Sequence, residues 1–308
     1  MVLGITIIIM SRKTIISILV IIIVILSLGA TLTGIITCLG SDGEEYEYES
    51  IRGDNVTIYG RGLYKHMSAD VAIQGVAQDF VTLLLGIPLL LISLILFRKG
   101  SFMGKVLLAG TLGYFMVTYI FYLTMAMYNE MYLVWVLLAS ASFFGFLMTM
   151  LTFDLKGVND RYGMNLPRRT LGIFLIINSI LIGLLWLSVV VPPILDGSIY
   201  PDGLEHYTTL IVQGFDLSIL LPASFLAGFL ILKRSPYGYL LAPPYIVFLS
   251  ILMTALVAKI IGMTITGVNP GPSIVIIPLI NLISIVITVL TLRSVNSRIR
   301  SKHQSPDH

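Results

Sequence analysis

The sequence predicts an all-α integral membrane protein. It would have eight transmembrane helices in two parallel-related four-helix halves, with a small extracellular β-hairpin in the first outer loop. Three observations lead there. Hydrophobic residues make up 56% of the chain and charged residues only 11%, against roughly 25% charged in a soluble domain. Mean hydropathy is +0.95. The apolar residues gather into eight runs, at 14–38, 80–97, 106–128, 131–153, 171–191, 211–232, 239–263 and 274–292, each close to the roughly 20 residues that cross the hydrocarbon. Lipid offers the backbone no hydrogen-bond partner, so such runs must be helices. Third, an ordered series of residues recurs.

The first run is longer than the apolar core of a cleaved signal peptide, so it reads as an uncleaved anchor. Met10-Ser11-Arg12-Lys13 has the look of a natural start, which makes residues 1–9 an extension. Ile35-Ile36-Thr37-Cys38 approaches a lipoprotein box, but Thr37 stands where a small residue belongs. Cys38 is the one cysteine, so no internal disulfide forms.

The first outer loop, 39–79, alternates over 45–51. It then turns at Arg52-Gly53-Asp54-Asn55 and continues with Val56-Thr57-Ile58-Tyr59, which is a hairpin pattern. Arg52-Gly53-Asp54 reads as part of that turn. Ser68-Ala69-Asp70 is a helix-start signal, so the second helix begins above the membrane and enters it at Asp79. Pro88 and Pro222 sit inside runs two and six, where proline removes a backbone hydrogen bond and predicts a kink. In run three, Tyr114, Thr118, Tyr122, Met125 and Asn129 share one helical face. Such a stripe lines a solute path or packs on a neighbouring helix through hydrogen bonds, and the packing reading is preferred. Asn178 and Asn281 read the same way. The polar linker 154–170 separates the halves, 1–153 and 171–292, and a basic tail, 293–308, follows.

The recurrence runs through both halves. Ile58-Tyr59-Gly60-Arg61-Gly62-Leu63-Tyr64-Lys65-His66 returns as Ile199-Tyr200-Pro201-Asp202-Gly203-Leu204-Glu205-His206. Gln78-Asp79-Phe80, Pro88, Arg98-Lys99-Gly100-Ser101 and Gly104 return as Gln213-Gly214-Phe215, Pro222, Lys233-Arg234-Ser235-Pro236 and Gly238. Four spans per half is an even number, so the halves would be parallel rather than inverted.

Of the 19 Lys and Arg, 15 fall on one side of this arrangement, in the N-terminal segment, the even-to-odd connections and the tail. The other side holds Arg52, Arg61 and Lys65 against Asp42, Glu44, Glu45, Glu47, Glu49, Asp54 and Asp70. The positive-inside rule then places both termini in the cytoplasm of a cell-membrane protein. The net charge of +3 is a topology signal, and no nucleic-acid partner is expected.

Ionisable residues in or beside the spans are few: Asp79, Glu130, Asp216 and Lys259. All fall near the outer face, counted at about 1.5 Å per helical residue. One reading is an outward-facing pocket for a small solute or ion between the halves, floored by an Asp216–Lys259 pair, with Tyr122 on its wall. The other has them snorkelling to headgroups, and that reading is preferred for Asp79 and Glu130. His66 and His206, both outer, could ligate a metal with Asp70, Asp202 or Glu205; plain loop histidines are the preferred reading. Asn55-Val56-Thr57 is a glycosylation sequon. No cofactor is expected. No span holds a histidine for haem, and P-loop, zinc-protease and nucleophile-elbow motifs are absent.

The stretches 215–222 and 233–243, with Gly62-Leu63-Tyr64 and the region from Gln78-Asp79 to Pro88, resemble a group of polytopic membrane proteins of archaea and bacteria. The resemblance implies a prokaryotic helical membrane protein and no particular activity. Three classes of function follow. One is a small-solute or ion transporter. A second is a non-catalytic sensor or assembly subunit, as a homo-oligomer or with a membrane partner, docking through small residues such as Gly104, Gly110 and Gly113. A third, the least favoured, is an enzyme acting on a lipid-linked substrate at the outer face.

Overall fold

The computed structural model describes residues 11–40, 43–198, 200–201, 203–267 and 271–295. The extension 1–9, Ile199, Asp202 and the tail histidines His303 and His308 lie outside the described residues. Among the described residues, eight helices are long and apolar enough to span a membrane: α1 (Arg12–Gly40), α2 (Ala69–Arg98), α3 (Phe102–Met125), α4 (Tyr132–Met150), α5 (Arg168–Asp196), α6 (Ile211–Leu232), α7 (Pro236–Ile265) and α8 (Ser273–Arg293). The chain thus has the make-up of a multi-pass membrane protein. Between α1 and α2, β1 (Tyr46–Glu49) and β2 (Asn55–Ile58) pair antiparallel, with Tyr46 opposite Ile58 and Glu49 opposite Asn55. The Ser50 hydroxyl accepts from Arg52 N and Asp54 N, and Gly53 supplies φ 85°, which closes the turn.

Helix α3 is the centre. Its apolar window is 78% buried, against 17% for α5. It packs on α2, α4 and α7, and α1 closes the other side against α2 and α4. The α5 helix packs chiefly along α6, which leans on α7, which carries α8. In lipid, apolar side chains gain little by meeting one another, so close backbone approach at small residues does the work. Gly172 and Gly228 face each other across α5 and α6, where a Cβ on Gly228 would lie 2.7 Å from Gly172 O. A Cβ on Gly110 would lie 2.7 Å from Pro244 O and 2.5 Å from Val247 Cβ, so α3 and α7 touch backbone to backbone there.

The α2–α3 and α6–α7 hairpins are built alike at a constant offset of 134 residues. Each first helix contains a π turn, Thr82–Gly86 and Asp216–Leu220. Ile87 N reaches Thr82 O and Leu221 N reaches Asp216 O, each five residues back. Pro88 and Pro222 follow directly. The proline ring cannot accept a regular turn beneath it, and the π turn accommodates it where the sequence predicted a simple kink. Both hairpins turn through a left-handed residue, Gly100 at φ 78° and Arg234 at φ 59°. Ser101 N then donates to Leu96 O, and Ser235 N to Leu230 O, each at 3.0 Å. Gly104 and Gly238 lie against the backbone of Leu96–Phe97 and Leu230–Ile231 respectively.

The ends of the helices differ in charge. At the face away from the hairpin, Lys105 Nζ donates to Thr152 O at 2.8 Å and Arg98 Nη1 to Ser17 Oγ at 3.0 Å. Lys105 thus satisfies a carbonyl just past the C-terminus of α4, and Arg98 a hydroxyl in the first turns of α1. We refer to the two ends as the basic face and the hairpin face.

Candidate functional site

Asp79 sits inside the N-terminal four helices and is 3% exposed. Tyr64 Oη donates to its Oδ2 at 2.6 Å and Tyr122 Oη to its Oδ1 at 2.8 Å. Among the described residues no ion pair within 4.0 Å includes it. Three pieces of local structure make this site. Helix α2 starts well above the π turn and carries the carboxyl inward. Gly62, at φ 60°, folds the loop onto the end of α1, where a Cβ would lie 2.6 Å from Cys38 N. Leu63 N donating to Thr37 Oγ1 and Tyr59 Oη donating to Cys38 O hold that loop down, and Tyr64 is delivered into the bundle. Gly34 of α1 leaves the room that the carboxyl and Tyr64 Oη occupy.

The polar stripe of α3 faces α2. Gln78 Nε2 donates to Tyr114 Oη at 2.8 Å and to Thr118 Oγ1 at 3.3 Å, and the Thr82 and Tyr114 hydroxyls are 2.8 Å apart. The packing role expected of this stripe is therefore present, and it also supplies the Asp79 site with Tyr122. Burial corrects the reading of Asp79 as a snorkelling residue: its carboxyl is sealed from solvent by Tyr64, Tyr122 and α1.

Asp216 is the first residue of the second π turn and is partly buried. Trp186 Nε1 of α5 donates to its Oδ2 at 2.7 Å. Tyr245 of α7 donates to Leu220 O at the end of the same turn, at 2.7 Å. Lys259 of α7 is partly buried and feels the Asp216 charge, but no ion pair within 4.0 Å joins them. The direct pair expected from the sequence is not made, and the indole holds one of the two carboxyl oxygens.

Glu130 lies at the hairpin face in an exposed salt bridge, 3.1 Å from Lys65 Nζ. Backbone hydrogen bonding and Lys65 hold its carboxyl below the ordinary range. This ties the first loop to the α3–α4 turn and lines no pocket with Asp79. His206 Nε2 engages His66 O at 3.0 Å, while the His66 side chain is exposed. Among the described residues no three His, Cys, Asp or Glu gather as metal ligands. Gly62 and Gly203 share the left-handed conformation, at φ 60° and 76°. Aligned on them, His206 matches Lys65 rather than His66. Asn55 is exposed at the start of β2.

A cleft of about 540 Å³ does open at the hairpin face, between the β-hairpin and the loop joining α5 to α6. Arg52, Asp54, Thr57, Ser68, Asp70 and Glu205 are among its lining, and none of the expected pocket residues Asp79, Tyr122, Glu130, Asp216 and Lys259 is. Arg52 and Asp54 had read as topology signals, and Asp70 and Glu205 as possible metal partners of His66 and His206. Only the fold brings residues 52–70 against 198–205.

Comparisons with protein-family models, with curated proteins and with solved structures give no match. What the fold and site define is a class: a multi-pass helical membrane protein with two carboxyls set beside π turns.

Proposed function

We propose that the protein is a small-solute or ion transporter of the cell membrane, built from two parallel-related four-helix halves with the hairpin face outside. One observation carries this reading. Each half holds a carboxyl that makes no ion pair within 4.0 Å among the described residues, is gripped by aromatic donors and is placed at or just before a π turn. Charge inside a membrane bundle is costly and ordinarily marks an ion or substrate path. A buried carboxyl with no cation in direct contact is where a proton or other cation binds. π turns weaken the helix ladder locally and recur at functional positions.

The constant offset between the α2–α3 and α6–α7 hairpins supports the two halves. So does the contact of α3 with α7: position 110 meets position 244, its own equivalent, as a two-fold axis between halves requires. Rocking of one half on the other about such an axis is how parallel repeats alternate access. The cations of the basic face support cytoplasmic termini. In a Cys38→Ser background, Glu47→Cys should react with a membrane-impermeant maleimide in intact cells, and Lys156→Cys only after lysis. The reverse pattern would overturn the orientation.

The reading is tested by thermal unfolding of the purified protein against alkali and alkaline-earth cations, amino acids, sugars and amines. A ligand at 100 times its Kd adds about 2.7 kcal/mol. At least one should stabilise the wild type and lose its effect in Asp79→Asn or Asp216→Asn. Full retention of every effect in both variants, or no stabiliser at all, would sink it.

A second reading, a subunit of a larger membrane assembly, is favoured by α5, which leaves most of its apolar surface uncovered. The glycine stripe expected to dock such a partner is already used: Gly104 faces α2, Gly110 faces α7, and Gly113 faces Phe248 and Phe146.

A further inference from the structure

We infer that the cleft between the β-hairpin and the α5–α6 loop binds a small ligand bearing an ammonium group. Its volume of about 540 Å³ falls in the range of small-molecule sites. Among the described residues its charged lining is Arg52 against Asp54, Asp70 and Glu205. Arg52 is committed to the wall: Nη2 donates to Glu205 O at 2.6 Å and Tyr207 O at 2.7 Å, and the guanidinium covers the Tyr200 ring at 5.2 Å. None of the three carboxylates has an ion-pair partner within 4.0 Å among the described residues. The cleft therefore faces its contents with surplus negative charge.

A second observation is independent of charge. Ser68 is 2% exposed and its hydroxyl, which lies beside the Glu205 carboxyl and Tyr207, completes no hydrogen bond of ordinary length and angle, although it stands at the N-cap of α2 where serine ordinarily accepts a backbone N–H. Glu205 Oε2 is likewise buried and unpartnered. Glu205 is also held at φ 53°, a left-handed conformation that a non-glycine residue adopts under strain, and such strain gathers at ligand clamps. Burial, and after it the Asp70 charge, push its carboxyl above the ordinary range against the opposing pull of the Ser68 hydroxyl and His206.

An ammonium carries three donors and the missing charge. Glu205 Oε2, Ser68 Oγ and the Asp70 carboxylate are acceptors of the right kind on one wall. An anion would meet those carboxylates, and no three-ligand metal group exists among the described residues. This inference rests on the cleft alone and is independent of the transport reading.

The test is isothermal titration calorimetry of the full chain in phosphatidylcholine nanodiscs, whose headgroup has no N–H donor. Putrescine and ethanolamine are the probes, and 1,4-butanediol is the uncharged control. We expect saturable binding of at least one amine, none of the diol, and an affinity loss of tenfold or more in both Glu205→Gln and Asp70→Asn. The unfolding midpoint of each variant confirms that it is folded, and Glu130→Gln, an acid on the same face outside the cleft, should bind as wild type. Two arms keep the inference and name the source. Competition by added phosphatidylethanolamine assigns the ammonium to a lipid headgroup, and its absence assigns it to a free amine. No binding of either amine, equal binding of the diol, unchanged affinity in both cleft variants, or an equal loss in Glu130→Gln would overturn it.

Discussion

Gly34→Val should destabilise the protein by about 3 kcal/mol or more and scatter the Asp79 site. A Cβ on Gly34 falls on Asp79 Oδ2 and 2.9 Å from Tyr64 Oη. Either α1 moves off α2 or the carboxyl gives up its phenols. Overpacking alone costs about 1–3 kcal/mol, and leaving a buried polar group unpaired adds about 1–3 kcal/mol, more if it is charged. The unfolding midpoint in detergent, followed by tryptophan fluorescence, reads this directly. Asp79→Ala in the same chain removes the atom that is struck, so the double variant should lose less than the sum of the two single changes. A wild-type midpoint for Gly34→Val would mean that α1 and α2 are not packed as described.

Gly238→Ala and Gly104→Ala should each cost about 1–3 kcal/mol. The added methyl meets backbone, not a movable side chain: Leu230–Ile231 in one case and Leu96–Phe97 in the other. Backbone can yield only by parting the two helices of the hairpin. Gly29→Ala, whose Cβ would meet nothing within 4 Å, is the control and should be neutral. Thermal unfolding of the three variants side by side checks the expectation. Equal midpoints for all three would argue against tight hairpins at Gly104 and Gly238.

The spans were legible because lipid admits one solution to a long apolar run. Boundaries moved in both directions: α2 and α5 begin before their apolar runs, at Ala69 and Arg168, and α3 and α4 stop at Met125 and Met150, three residues short of theirs. The hairpin was legible from alternation and from the turn at Gly53. The sites were less so. Asp79 is a lone acid at the edge of an apolar run, and nothing nearby in sequence says that Tyr64 folds back over it. That depends on Gly62 pressing against Cys38, a contact between distant segments. Asp216 and Lys259 carry opposite charges on neighbouring helices, which suggested a pair. The indole of Trp186, 30 residues away, holds one of the two carboxyl oxygens, and the direct pair is not made. The cleft wall combines residues 52–70 with 198–205, and no local pattern announces such a juxtaposition. The π turns have a visible trace in Pro88 and Pro222, but proline alone does not distinguish a kink from a π turn.

The central claim is that the two carboxyls beside the π turns serve ion or solute translocation. The most direct measurement is of transient currents from reconstituted proteoliposomes on a solid-supported membrane. The liposomes are given jumps in pH, Na+, K+ and putrescine, for wild type, Asp79→Asn and Asp216→Asn. The account predicts a current with at least one of these in the wild type, and its loss in either variant while folding is retained. Currents that persist unchanged in both variants, or none for any jump in folded wild-type protein, would contradict it.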